Sequence, residues 1–273
     1  TVAIVEASRA TFEKRGAAFA VALETLRPKG YRHESFARRT ARPLDAARIA
    51  LIEDFVREVM RQFGIPGVGL GLIDRGKVVF AGGLGVKALG KPEPVDADTL
   101  FLAASNTKAM TTLLLAELVD EHKLRWDEPV TEAYPAFRLG DAATTRQVLI
   151  KHLVCACTGM PRQDFEWLFN FGGATPASSL ALLGTMQPTS RFGEVYQYSN
   201  LMAAAAGYVA ASVIAPGREP GAAYDDAMRA KVLRPLGMDR TTFDFAAALG
   251  GDVASPHGET VDGRTVLARM DMN

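Results

Sequence analysis

Only two of the 273 residues are cysteine and only four are histidine. Two cysteines, at 155 and 157, cannot build a disulfide framework. Cys155-Ala156-Cys157 also lacks a second ligand pair for zinc, so the pair reads as two small buried residues. The histidines (His33, His122, His152, His257) form no HExxH pair, and no metal or other cofactor is expected. Charge of one sign is missing too, since 31 Lys and Arg balance 31 Asp and Glu. Neutralising nucleic-acid phosphates needs a clustered basic excess, so nucleic acid is not an expected partner. No apolar run reaches the roughly 18–20 residues of a membrane span. A secretory leader is not legible, because Glu13-Lys14-Arg15 and Glu24 interrupt the apolar stretch. The expected location is therefore the cytoplasm, with the periplasm as the alternative if a leader has been removed.

Several familiar motifs fail. Gly85 and Gly90-Lys91 have phosphate-loop spacing, but Pro92 stands where Ser or Thr must ligate magnesium. The glycines at 67, 69 and 71 never complete the dinucleotide-binding pattern. Ser105 is flanked by Ala103 and Thr107, not by the two glycines of a nucleophile elbow.

What remains is ordinary globular composition, 48% hydrophobic and 23% charged, with one large or two modest domains. Residues 1–44 stand apart as a basic extension. Arg9, Lys14, Arg15, Arg27, Lys29, Arg32, Arg38, Arg39 and Arg42 face only four Glu, and Ala10–Leu26 has helical spacing. A second helix is expected over Asp45–Phe63, ended by Gly64. Val68–Ile73 and Lys77–Leu84 read as strands joined by Asp74-Arg75-Gly76, which is hairpin chemistry. From Ser105 onward helices dominate. One runs from Ser105 to His122-Lys123, with others over Thr145–Val154, Ala177–Met186, Asn200–Ile214 and Tyr224–Leu233.

Ser105-Asn106-Thr107-Lys108 opens the first long helix of that region. The i,i+3 spacing sets a hydroxyl and an amine on one helical face, at the end where developing negative charge is stabilised. A lysine that loses its proton can act as base toward the serine. The same four residues also read as an N-capping serine followed by a surface lysine.

The longer stretch Phe101–Val130 strongly resembles the serine β-lactamase and penicillin-binding-protein superfamily. Its nearest look is the class C-like branch, which includes family VIII carboxylesterases and D-aminopeptidases. Tyr198-Ser199-Asn200 behind Gly193 resembles that branch's Y-x-N motif. Leu233-Arg234-Pro235-Leu236-Gly237-Met238 through Thr242 resembles its PLGM signature, and Pro256-His257-Gly258 with Asp262-Gly263 a later loop. These matches span roughly residues 50 to 263.

The resemblance implies an α+β, β-lactamase-like fold: an antiparallel sheet flanked by helices, plus an all-helical lobe. The expected organisation is 1–44 as the extension, 45–104 as the first part of the α/β lobe, 105–240 as the helical lobe, and 241–273 as a return toward the sheet. It implies Ser105 as acyl-forming nucleophile, Lys108 and Tyr198 as the proton-transfer pair, and Asn200 as the group binding Lys108 and a substrate carbonyl. The implied activity is serine hydrolysis, foremost of small carboxylic esters. A β-lactamase, a D-amino-acid amidase or peptidase, and a non-catalytic penicillin-recognising binding protein are the alternatives.

Three places depart from the family pattern or imitate another. The stretch His152–Pro161 matches the family's LLTHTSGLP, with Ala156 in place of His, Cys155 and Cys157 in place of Thr, and Thr158 in place of Ser. Glu166-Trp167-Leu168-Phe169-Asn170 imitates the E-x-x-L-N loop of class A β-lactamases but precedes Tyr198, the wrong order for a catalytic Glu166. Phe165, Trp167, Phe169 and Phe171 read instead as cleft lining or loop packing. The third family motif, K-[ST]-G or H-x-G on a strand beside the site, does not occur before Asn273. A C-terminal companion chain completing the sheet and that motif is therefore an expected partner.

Overall fold

The computed structural model describes residues 4–27, 29–164 and 171–268. In chain order the described elements are α1 (Arg9–Thr25), α2 (Ala46–Phe63), β1 (Gly67–Asp74), β2 (Lys77–Gly85), α3 (Asn106–Asp120), α4 (Val130–Ala133), α5 (Ala142–Gln147), α6 (Pro176–Leu183), α7 (Asn200–Ile214), α8 (Pro220–Met228), α9 (Phe245–Leu249), β3 (His257–Glu259) and β4 (Thr265–Leu267). They divide between two units, residues 1–33 with 103–239, and residues 34–102 with 240–273. None of the described helices is long and apolar enough to cross a membrane.

The second unit holds the strands. Asp45 caps α2 by accepting from the Arg48 amide at 2.9 Å, and Gly64, at φ 62°, ends it. β1 and β2 pair antiparallel from Gly67↔Gly85 to Asp74↔Lys77, with an irregularity between Leu72 and Ile73. Arg75 and Gly76 both have positive φ (50° and 76°), the backbone that a two-residue hairpin turn requires. β3 and β4 form a second short hairpin that hydropathy did not announce. His257 opens it and accepts from the Leu89 amide at 3.0 Å. The returning segment bonds beside Leu100, whose N–H donates to Asp252 O at 2.7 Å and whose carbonyl accepts from Ala254 N at 2.9 Å.

The first unit is helical. On α3, Thr111, Leu114, Leu115 and Leu118 are buried, an i, i+3, i+4, i+7 stripe. The stripe meets α7, which is apolar all round, with Met202, Ala205, Ala206, Val209 and Ala210 buried. Its small side chains allow close approach: a Cβ on Gly207 would lie 2.8 Å from the Tyr224 ring of α8. Met228, Val232, Ile150, Leu153, Met160 and Leu183 are among the other side chains buried in this core. Residues 1–33 of the N-terminal extension belong to this unit, with Arg15 donating to Thr189 O at 2.9 Å.

Most expected helices form with shifted ends, and one does not form as read. In place of a helix over Thr145–Val154 there is α5, then a 3-10 turn at Ile150–Leu153. The chain between them bonds sideways: Val130 N donates to Val148 O at 3.0 Å and Ile150 N to Glu128 O at 3.0 Å. Those lateral bonds take the backbone groups a continuous helix would use. The expected Tyr224–Leu233 helix starts earlier, with Glu219 capping and Pro220 at the first position, and finishes in a π turn over Arg229–Leu233. Cys155 and Cys157 are another correction. They are half-buried and joined as a disulfide across Ala156, which has φ 53°.

Candidate active site

Ala104, at φ 43°, turns the chain sharply into α3. The amides of Asn106, Thr107 and Lys108 make tight i→i+3 bonds, to the carbonyls of Ala103, Ala104 and Ser105. Ser105 is the N-cap residue by position, yet its side chain makes no capping bond. Its hydroxyl instead faces Tyr198 Oη at 2.6 Å and accepts from Lys108 Nζ at 3.1 Å. The reading of a capping serine with a surface lysine is thereby set aside: Ser105 is exposed and Lys108 half-buried.

Tyr198 and Asn200 reach the site because α7 starts between them. Ser199 caps the helix, so the chain is extended at Ser199 and helical from Asn200. Asn200 Oδ1 accepts from Lys108 Nζ at 2.7 Å. The segment before the helix is anchored by Gln197, whose amide N–H donates to Ala156 O at 2.6 Å. The buried Gln197 side chain donates to Thr189 Oγ1 at 2.6 Å and accepts from Ser190 Oγ at 2.7 Å. Gly193 N donates to Cys157 O at 2.8 Å, so the disulfide-closed turn holds the strip that carries Tyr198.

All four residues expected from the sequence are linked by hydrogen bonds, Ser105 to Tyr198 and Lys108, and Lys108 to Asn200. Two more that the sequence did not single out join them. Arg162 lies 5.1 Å from the Tyr198 ring centroid and pairs with Asp164, which accepts from Asn200 Nδ2 at 2.8 Å. Their one advance signal is a polar run, Arg162-Gln163-Asp164, straight after Gly159-Met160-Pro161. Glu166 and the aromatics Phe165, Trp167 and Phe169 lie outside the described residues.

The balance of charges around Tyr198 lowers its phenol. Burial pushes its phenol up, but hydrogen bonding with Lys108 and Ser105 and the charges of Lys108 and Arg162 outweigh this, leaving it below the ordinary tyrosine range. Lys108 Nζ stands 4.6 Å from the centre of the same ring. Beside the cluster opens a 170 Å³ cleft lined by Lys108, Thr112, Ala156, Tyr196, Tyr198 and Met202. A larger cavity of 490 Å³ lies at the far end of α3, around His122 and Trp126, remote from the hydroxyl.

A family model described as Beta-lactamase matches residues 52–273. The chain belongs to the beta-lactamase family. The fold agrees, being α+β with two small antiparallel hairpins and a helical unit. The octameric penicillin-binding protein homologue from Pyrococcus abyssi superposes with a TM-score of 0.69 at 26% identity, covering 80% of this chain and 50% of that one. A hydrolase with promiscuous acyltransferase activity superposes at 0.66, with 20% identity and coverages of 82% and 60%. In sequence, an unguisins hydrolase of Aspergillus campestris is 32% identical over 217 residues, 75% of this chain and 39% of the relative. This beta-lactamase-family chain thus spans between 39% and 60% of the length of these three proteins.

Proposed function

We propose that the chain carries the acylation centre of a serine hydrolase, with Ser105 as nucleophile. The observation that carries the reading is the Ser105 hydroxyl, which is 2.6 Å from Tyr198 Oη and 3.1 Å from Lys108 Nζ and unused as a helix cap. Tyr198, as phenolate beside the Lys108 charge, takes the Ser105 proton as Oγ attacks an acyl carbonyl. The backbone N–H of Ser105, at the N-terminal end of α3, stabilises the oxyanion that forms. Asn200 holds Lys108 and presents its carboxamide to the substrate. The proton returns to the leaving group through Tyr198, and water then cleaves the Ser105 ester.

Small carboxylic esters are the proposed substrates, with β-lactams and D-amino-acid amides as the competing acyl donors. The similarity to relatives named as hydrolases supports acyl transfer to water. The presence of all four reactive residues within bonding distance argues against a binding protein without catalysis. A polypeptide segment or companion chain outside residues 1–273 is proposed to supply the second oxyanion donor, since the match covers only 39% of the unguisins hydrolase and 50% of the penicillin-binding protein homologue. The Cys155–Cys157 bond supports the periplasmic over the cytoplasmic location.

The test is the full-length protein with p-nitrophenyl butyrate and with nitrocefin, and its intact mass after a fluorophosphonate probe. Ester turnover with one adduct on Ser105 is expected. Absence of both turnover and adduct would overturn the proposal, and turnover of nitrocefin alone would replace the esterase reading by a β-lactamase one.

A further inference from the structure

The Asn200 carboxamide can face the site in two ways, and only one serves Lys108. An ammonium or amine N–H donates, so it needs the amide oxygen; rotating the amide would set N–H₂ against N–H. Asp164 decides between the two. Its carboxylate can only accept, and it takes the Asn200 Nδ2–H at 2.8 Å, which turns Oδ1 toward Lys108 at 2.7 Å. The Asp164 side chain is only 13% exposed, so water competes weakly for that bond. Arg162 pairs with the same carboxylate and lies 5.1 Å over the Tyr198 ring, and Gln163, at φ 49°, turns the chain between the two. Two branches therefore leave Asp164, one through Asn200 and Lys108, the other through Arg162 and Tyr198. Both end on the Ser105 hydroxyl.

We propose that Asp164 is a positioning residue of this centre, fixing the orientation of the Asn200 carboxamide and with it the Lys108 amine. The inference rests on the reading of Ser105 as nucleophile. Asp164 itself touches neither substrate nor the reacting oxygen; it acts through Asn200. Its neighbours set a clear expectation for replacement. Asn in place of Asp164 offers either end of an amide and no longer dictates which way Asn200 faces. Glu keeps the acceptor-only character one methylene further out.

The experiment measures kcat and KM for p-nitrophenyl butyrate, and the rate of fluorophosphonate labelling, in the full-length protein. Asp164→Asn is expected to lower kcat and labelling by about 10- to 100-fold, the scale of a misplaced catalytic group, with KM within about threefold. Asp164→Glu is expected to recover a large part of that loss. In an Asn200→Ala background, Asp164→Asn is expected to add less than about a twofold effect, because the residue it orients is gone. Wild-type labelling and kcat in Asp164→Asn would overturn the proposal while leaving the hydrolase reading intact. Fully additive effects of Asp164→Asn and Asn200→Ala, or no recovery in Asp164→Glu, would also overturn it in favour of a merely structural role. If wild type and Ser105→Ala are equally unlabelled, the underlying reading of Ser105 has failed instead.

Discussion

Lys108 donates to the carboxamide oxygen of Asn200 at 2.7 Å, across 92 positions of chain. The same amine lies 3.1 Å from Ser105 Oγ, so one lysine joins the start of α3 to the start of α7. The two helix N-termini meet because their apolar stripes pack, and the polar groups ride on that packing.

Ser105→Ala removes the group on which the other side chains converge. Ester turnover is expected to fall at least about a thousandfold, with an unchanged circular dichroism spectrum. Mass spectrometry after the fluorophosphonate probe should show no adduct. An adduct at wild-type rate would place the nucleophile elsewhere.

Tyr198 should set the ascending limb in the pH dependence of kcat/KM, with activity rising as the phenol ionises. Its phenol lies below the ordinary range because the pull of Lys108, Ser105 and Arg162 outweighs burial, so the limb should fall below that of free tyrosine. Arg162→Ala removes a positive charge that favours the phenolate, and the limb should move to higher pH. A limb unmoved by Arg162→Ala, or moved downward, would show that Arg162 has no electrostatic hold on Tyr198. Tyr198→Phe should cost about 10²–10⁴-fold in kcat, the range of a general base.

Gly207→Ala tests the packing that brings α3 and α7 together. Alanine favours the helix by about 1 kcal/mol over glycine. Against this, its Cβ would stand 2.8 Å from the Tyr224 ring, whose hydroxyl is 2.7 Å from Thr111 Oγ1 on α3. Overpacking costs about 1–3 kcal/mol and a lost hydrogen bond about 1 kcal/mol more, so net destabilisation is expected. A thermal melt should drop by several degrees; a rise would show that the ring moves aside freely.

Reduction of Cys155–Cys157 should lower stability modestly. The closed loop is so short that the entropic gain is about 1–2 kcal/mol. The larger effect is expected on activity, because Ala156 O and Cys157 O hold the amides of Gln197 and Gly193 ahead of Tyr198. Melting curves and ester turnover with and without dithiothreitol check both. Alkylation of both thiols in unfolded, unreduced protein would show that the bond is not formed.

Much of the local structure was legible in the chain itself. The α7 limits at Asn200 and Ile214, the helix ending at Gly64, and the β1–β2 hairpin around Arg75-Gly76 all rest on interactions within a few residues: caps, apolar period and turn chemistry. The Ser105–Lys108 pair is of the same kind, since one helical turn places its two members together. Residues 145–154 were not legible, because bonds to residues 128–130 compete with helix formation there. The Cys155–Cys157 bond was missed because two cysteines by themselves indicate no framework.

What only the tertiary structure decided is how closely the distant groups gather at the Ser105 hydroxyl, and that Arg162 and Asp164 join them. Tyr198 lies 93 residues away in sequence yet 2.6 Å from it in space, and Asp164 enters through a hydrogen bond to Asn200 across 36 positions. Residue type and local spacing specify a helix, a cap or a turn because the forces involved act over a few residues. The orientation of an amide or the ionisation of a phenol depends on charges and carbonyls that other parts of the fold bring within a few ångströms.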